Sequence, residues 1–352
     1  MELRTLGRTG LRVSVLGFGT MSFGGRGMQE AVGTTGVEDA RRQIDRCLDA
    51  GVNLFDTADV YSQGLSEEIL GQALAGRRER VVLATKLNGR MGDGPNDSGQ
   101  SRAHIVAACE ASLRRLGTDW IDLYQVHSWD GLTPLAETLS ALDDLVHAGK
   151  VRYIGCSNYA AWHLMKALAT SERLGLQPYA TQQINYSLLI RDVEYELVPI
   201  AIAERVGILA WSPLAGGLLS GKFRRDQPPD PGTRRGQQGD AGHFDLDRAF
   251  DAIEVIREIA DGHGVSVAQV AVNWLTQRAG VSSVLIGART DEQLADNLHA
   301  ASWQLTDDEL ARLDELTRPP LLYPYWHQQR SAAGRLSPAD VWPRPSVRAV
   351  GC

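Results

Sequence analysis

Short runs of consecutive apolar residues alternate along this chain with longer segments whose apolar positions fall three and four apart. The short runs occupy residues 13–18, 52–55, 81–85, 121–126, 151–155, 179–184, 207–211 and 283–286. Their near-continuous apolarity predicts strands covered on both faces, as in a parallel sheet. The longer segments, among them 37–50, 101–116, 134–148 and 291–300, predict amphipathic helices. Ser66 followed by Glu67 and Glu68 reads as a helix cap with an acidic first turn, and Asp291-Glu292 reads the same way. Eight strand–helix units predict an α/β fold, a single (β/α)8 TIM barrel, over the open doubly wound sheet that is the alternative.

The period breaks in three places. Residues 3–15, with Gly7 and Gly10 between two short strands, predict a hairpin before the barrel; residues 222–244, rich in Gly, Pro and Arg, predict a long loop. Residues 247–261 predict an extra helix after strand seven. After Arg318 come Pro319, Pro320, Pro324, Pro338, Pro343 and Pro345, so the tail 319–352 is expected to be irregular and to wrap the barrel. Residues 1–352 are read as one domain.

Composition excludes several functions. With 43% hydrophobic and 22% charged residues the chain can bury a large core. A net charge of −7 opposes a nucleic-acid partner, which needs a basic face. No apolar run approaches the roughly 20 residues of a membrane-spanning helix, and residues 1–10 lack the order of a signal peptide, so a cytoplasmic protein is expected. Cys47, Cys109, Cys156 and Cys352 form no CxxC pair, which suggests neither a metal site nor a disulfide framework. Two glycine motifs mislead. Gly17-Phe18-Gly19 lacks the third glycine of a dinucleotide fingerprint, where Ser22 stands; Gly216 to Lys222 has P-loop spacing, but Phe223 replaces the magnesium-binding hydroxyl.

In a barrel, functional residues sit just past the strand C-terminal ends. Strand two ends in Asp56, with Tyr61 five positions on; strand three ends in Lys86 and strand four in His127. Taken singly, these are a cap, a solvated amine and a satisfied imidazole. Together, consecutive strands deliver them to one rim. Reduction of a carbonyl by hydride needs a proton donor, and a phenol of pKa near 10 is poor unless its anion is stabilised. A buried Lys86 would lower that pKa, and two or three units of lowering correspond to roughly 3 to 4 kcal/mol. Asp56 would keep Lys86 charged, and a neutral His127 would orient the carbonyl oxygen.

The runs from Asn53 to Tyr61, Ala84-Thr85-Lys86, and from Asp122 to His127 resemble the aldo-keto reductase family at all four catalytic positions. The resemblance extends from the hairpin through Asn297. It implies cofactor contacts from Gly19, Thr20 and Met21; from Asp56; from Ser157, Asn158 and Gln183 around the nicotinamide; from Trp211, Ser212, Pro213 and Leu214; and from Gly216 and Lys222. Near strand eight it implies an adenosine-phosphate segment with Gly287, Arg289, Gln293, Asp296 and Asn297. Arg289 at a helix start suits a 2′-phosphate, which favours NADPH (NADP+) over NADH, the less favoured cofactor. Gly287 and Ala288 stand where some members carry a lysine. The long inserts 88–100 and 222–244 place the chain nearer the potassium-channel β-subunit branch than the aldose-reductase-like branch.

These readings converge on an NADPH-dependent oxidoreductase that converts a small-molecule aldehyde or ketone to an alcohol, with Tyr61 as general acid. The alternative is a cofactor-bound regulatory or scaffold subunit. Reduction of a carbon–carbon double bond, a third reading, has no need of His127 beside a carbonyl. Met21, Phe23, Trp129, the two long loops and the span 323–326 are expected to wall the substrate pocket. Neither the carbonyl's identity nor the oligomeric state is written in a recognisable motif.

Overall fold

The computed structural model describes residues 1–30, 33–226, 245–332 and 334–340. β1 (Leu3–Thr5) and β2 (Arg12–Ser14) pair antiparallel. Eight parallel strands then close into a barrel: β3 (Leu16–Gly19), β4 (Leu54–Asp56), β5 (Val82–Leu87), β6 (Ile121–Val126), β7 (Val151–Ser157), β8 (Thr181–Asn185), β9 (Gly207–Trp211) and β10 (Val281–Ile286), with β10 returning to β3. The expected TIM barrel, hairpin and extra helix are all present, and strand ends fall within about two residues of expectation.

One expected strand, 13–18, is divided. The Asn53 amide donates to Ser14 Oγ, Asn53 Oδ1 accepts from Ser14 N, and Ser14 Oγ donates to Leu16 O. Val15 donates to Glu2 O and accepts from Val284 N, so the chain passes there from hairpin to barrel. The hairpin closes the lower end. Gly7 turns with φ +57° and lies so close to Ala180 O and Gly207 N that a Cβ would sit 2.5 and 2.6 Å from them. Leu6 and Val13 join Leu54, Val82, Ala84, Leu123, Leu209 and Leu285 in one apolar cluster, a plug that contributes roughly 1.5–3 kcal/mol per large side chain.

The outer layer contains α1 (Val37–Asp49), α2 (Leu65–Ala73), α3 (Arg102–Leu116), α4 (Leu135–His147), α5 (Ala161–Leu174) and α6 (Val193–Glu204). α7 (Leu246–His263) is the extra helix; α8 (Val267–Thr276), α9 (Asp291–His299), α10 (Asp307–Thr317) and α11 (Tyr325–Ser331) follow. Most of the predicted loop 222–244 lies outside the described residues.

One local expectation fails. Ser66 is the second residue of α2, whose N-cap is Gly64; the Ser66 hydroxyl instead meets Thr20 and Thr57 behind the barrel wall. Glu67 and Glu68 stand in the first turn of α2 as expected, and Glu67 is wholly buried and paired with Arg115. At α9 the cap is Thr290, with Asp291 and Glu292 in the first turn. The tail carries the short helix α11, whose Tyr325 stacks on Tyr195 of α6, 5.5 Å between ring centres. The chain beyond 340 lies outside the described residues.

Candidate active site

The β4, β5 and β6 ends bring the four predicted groups together. Lys86, wholly buried, donates from Nζ to Asp56 Oδ1 at 2.5 Å and to Thr57 O at 2.8 Å. Asp56 Oδ2 accepts from Gln183 Nε2 at 2.9 Å and from Gln125 Nε2 at 3.3 Å. The carboxylate is thus held on both oxygens, as a buried charge requires. Lys86 Nζ lies 5.1 Å from the centre of the Tyr61 ring, and the Tyr61 and His127 rings meet edge-on at 5.8 Å.

The pKa directions agree with part of the expectation. Burial, followed by the Lys86 charge, pushes His127 down to about 3, which leaves a neutral imidazole. Burial opposes the Lys86 ammonium, but Asp56 and then Tyr61 outweigh it, so its pKa rises. Tyr61 departs from expectation. Burial raises its pKa above the ordinary phenol value and dominates the lowering by Lys86. Removing a phenolate from water outweighs one nearby ammonium that is already engaged with Asp56.

Gln125 was missed by sequence reasoning. Its signal was available: on β6 it sits two residues before His127, so alternation turns it inward with Leu123, and a polar inward residue needs a partner. Gln183, expected at the cofactor, donates to Asp56 in this structure.

Other expected cofactor residues follow the rim. Gly19 and Gly287 face one another across β3 and β10; a Cβ on either would meet the other strand's carbonyl oxygens at 3.6 or 3.7 Å. Thr20 is buried, its hydroxyl engaged with Asp56 O and Ser66. Met21 is partly exposed beside it. Ser157 Oγ donates to Gln183 O, and Asn158, with φ +57°, donates to His127 O at 2.9 Å. Trp211 ends β9 partly exposed, and its buried Nε1 has no hydrogen-bond partner among the described residues. Ser212, at φ +56°, accepts from Gly216 N, shaping the turn through Pro213 and Leu214.

Leu214, Gly216, Lys222, Gly287, Arg289, Gln293, Asp296 and Asn297 line a single cleft, so eight expected residues from two distant segments converge. Gly216 and Gly217, both at positive φ, leave bare backbone on its wall. Gln293 accepts from Arg289 N, and Asn297 donates to Gly287 O. Asp296 accepts from Ser266 and Gln269 instead, which ties α8 to the cleft. Neither the Lys222 ammonium nor the Arg289 guanidinium has an ion-pair partner among the described residues.

The expected substrate wall is only partly present. Phe23 is wholly buried against Phe18 and belongs to the core. Trp129 stacks on His163 at 4.0 Å. The insert 88–100 is anchored by Gln100, which donates to Asn88 Oδ1, Ser128 O and, through its amide, Asp130 Oδ2. Tyr323 is 73% exposed on the tail rather than enclosed.

The cleft, with two cations and glycine backbone on its wall, fits a phosphate-bearing dinucleotide. Among the described residues no group of three or more potential metal ligands occurs, and no helix is long and apolar enough to cross a membrane. Residues 15–318 match the model of the aldo/keto reductase family. The chain is 40% identical over 331 residues to an uncharacterised Bacillus subtilis oxidoreductase, YrpG, covering 91% of this chain and 97% of the relative. It is 37% identical to a probable voltage-gated potassium channel β-subunit of Oryza sativa, covering 85% and 91%. It is 33% identical to the versiconal hemiacetal acetate reductase of Aspergillus parasiticus, covering 92% and 99%. Fold, residue constellation and relatives agree: the chain belongs to the aldo/keto reductase family of oxidoreductases.

Proposed function

We propose that this protein uses NADPH to reduce an aldehyde or ketone to the alcohol, with Tyr61 as proton donor. The supporting observation is the buried Asp56–Lys86 pair beside Tyr61 and a neutral His127. The bound cofactor supplies hydride to the carbonyl carbon. Tyr61, its pKa raised by burial, stays proton-loaded at neutral pH and gives its proton to the carbonyl oxygen. Lys86 then stabilises the phenolate that remains, and Asp56 holds the lysine in place. His127 donates a hydrogen bond that orients the oxygen.

Ser157, Asn158 and Gln183 would hold the carboxamide end of the cofactor, and Trp211 would cover its ring. Gly216, Lys222, Gly287, Arg289, Gln293 and Asn297 would hold the adenosine phosphate. Two cations in one cleft with no ion-pair partner among the described residues support NADPH over NADH. One domain carries all of this in the cytoplasm, with the described part of the tail packed on α6 through Tyr325.

Tyr61→Phe is expected to lower turnover about a thousandfold while NADPH still quenches tryptophan fluorescence. Native turnover in that variant would overturn the reading. The relatives named as channel β-subunits favour a second reading, a cofactor-bound regulatory subunit. Sustained NADPH oxidation with small aldehydes would decide against it.

A further inference from the structure

The turn that carries Tyr61 is held in a conformation it would not take alone. Ser62 (φ 50°, ψ 35°) and Gln63 (φ 56°, ψ 43°), the two residues after Tyr61, both lie in the left-handed region, which a side chain with a Cβ resists. Residues other than glycine stay there only where their surroundings over-determine them, and such strain gathers at functional sites.

The surroundings are supplied by the segment that leaves β3. Ser62 N donates to Gln29 Oε1 at 3.0 Å, while Ser62 Oγ donates to Phe23 O at 2.8 Å and accepts from Gly25 N at 3.0 Å. Gln29 is buried, although a glutamine between strands ordinarily faces water. Gly24, at φ +91°, lies so close that a Cβ there would sit 2.8 Å from Ser62 Cβ, and a Cβ on Gly27 would meet Gln63 Nε2 at 3.2 Å. Phe23 fastens the segment to the core by packing on Phe18, 6.0 Å between ring centres. The strained turn is therefore gripped on its amide and its hydroxyl by a segment that is itself anchored.

Ser62 follows Tyr61 directly, and the Tyr61 ring meets His127 edge-on at 5.8 Å with Lys86 Nζ 5.1 Å from its centre. A turn relaxed to right-handed geometry would redirect the chain at Tyr61 and carry the phenol off that position, and misplacement by about an ångström is costly to a reacting group. We propose that Gln29 and Ser62 are positioning residues, whose hydrogen bonds hold the strained turn so that the Tyr61 phenol faces His127. This rests on Tyr61 being the proton donor, and the test separates the two ideas.

Amide exchange at Ser62 and steady-state rates with NADPH and a small aldehyde are measured on the full-length chain, Gln29→Leu, Gln29→Glu, Ser62→Ala, Ser62→Gly and Tyr61→Phe. Gln29→Leu is expected to speed Ser62 exchange about tenfold, with the barrel-strand amides unchanged. Its kcat is expected to fall about ten- to a hundredfold, while the Kd for NADPH, read from tryptophan quenching, stays nearly native. Gln29→Glu keeps an oxygen acceptor for Ser62 N and is expected to recover most of both. Ser62→Gly adopts positive φ freely, so it should melt higher than Ser62→Ala yet share its loss of kcat, a split that a merely stabilising role does not produce. Native kcat in Gln29→Leu and in both Ser62 variants, with turnover lost in Tyr61→Phe, overturns this proposal and leaves the reductase reading standing. Native turnover in Tyr61→Phe overturns the reductase reading, and the aim of the turn with it. If Gln29→Leu fails to fold, the two Ser62 variants decide.

Discussion

The two halves of the site are built on opposite plans. Beside Lys86 the Asp56 carboxylate is compensated by the protein: it accepts from a lysine and two glutamines before any ligand arrives. In the cleft between the β9 and β10 loops, Lys222 and Arg289 have no ion-pair partner among the described residues, and the wall is glycine backbone. The contrast follows from burial. A charge sealed in the barrel must be compensated by the protein, whereas one bordering water can wait for a ligand. Preorganisation belongs where protons move, and open charge belongs where an anion docks.

The largest test of this contrast removes the buried cation. Lys86→Met leaves Asp56 uncompensated, so a loss of roughly 3–5 kcal/mol in chemical denaturation and about a thousandfold in turnover is expected. Adding Asp56→Asn should restore much of the stability and none of the turnover. Stability equal to native in Lys86→Met would break the comparison at its base.

Next in size, Arg289→Ala and Lys222→Ala should each raise the KM for NADPH about ten- to a hundredfold, with KM for NADH and the melting temperature nearly unchanged. Equal losses with both cofactors would remove the 2′-phosphate from the account.

His127 provides a smaller effect with a defined sign. Its folded pKa of about 3 lies below the unfolded value of about 6.5, so the unfolded chain binds more protons between them. Stability should therefore fall as pH drops from about 6.5 towards 3, and His127→Gln should fall less steeply over that window. Parallel denaturation profiles for the two proteins would show that the imidazole is not buried neutral.

The smallest difference is ionic. Raising salt should weaken NADPH binding severalfold through the open cleft while leaving the rate at saturating cofactor almost constant.

The fold and the meeting of Asp56, Tyr61, Lys86 and His127 at one rim were legible in the chain for one reason: eight buried strands must be apolar almost throughout, so Asp56, Lys86 and His127 stand out where each run stops. Side-chain facing was less legible wherever the backbone leaves the regular alternation. Phe23, four residues past Gly19, turns into the core, and Ser66 follows an irregular turn in which Ser62 and Gln63 take positive φ. The shift of Tyr61 was misjudged because the sequence names its neighbour but not how much water its ring excludes. Gln125 was readable from alternation and went unread because it lies between more conspicuous residues.

The hairpin plug below the strands makes the barrel a blind alley. Whatever small molecule reaches the Tyr61–His127 pair enters and leaves by the rim of the barrel opposite the plug. An alcohol made there obstructs the next carbonyl's way in until it has gone. A site with one mouth ties product release to substrate entry, because both must use the same passage.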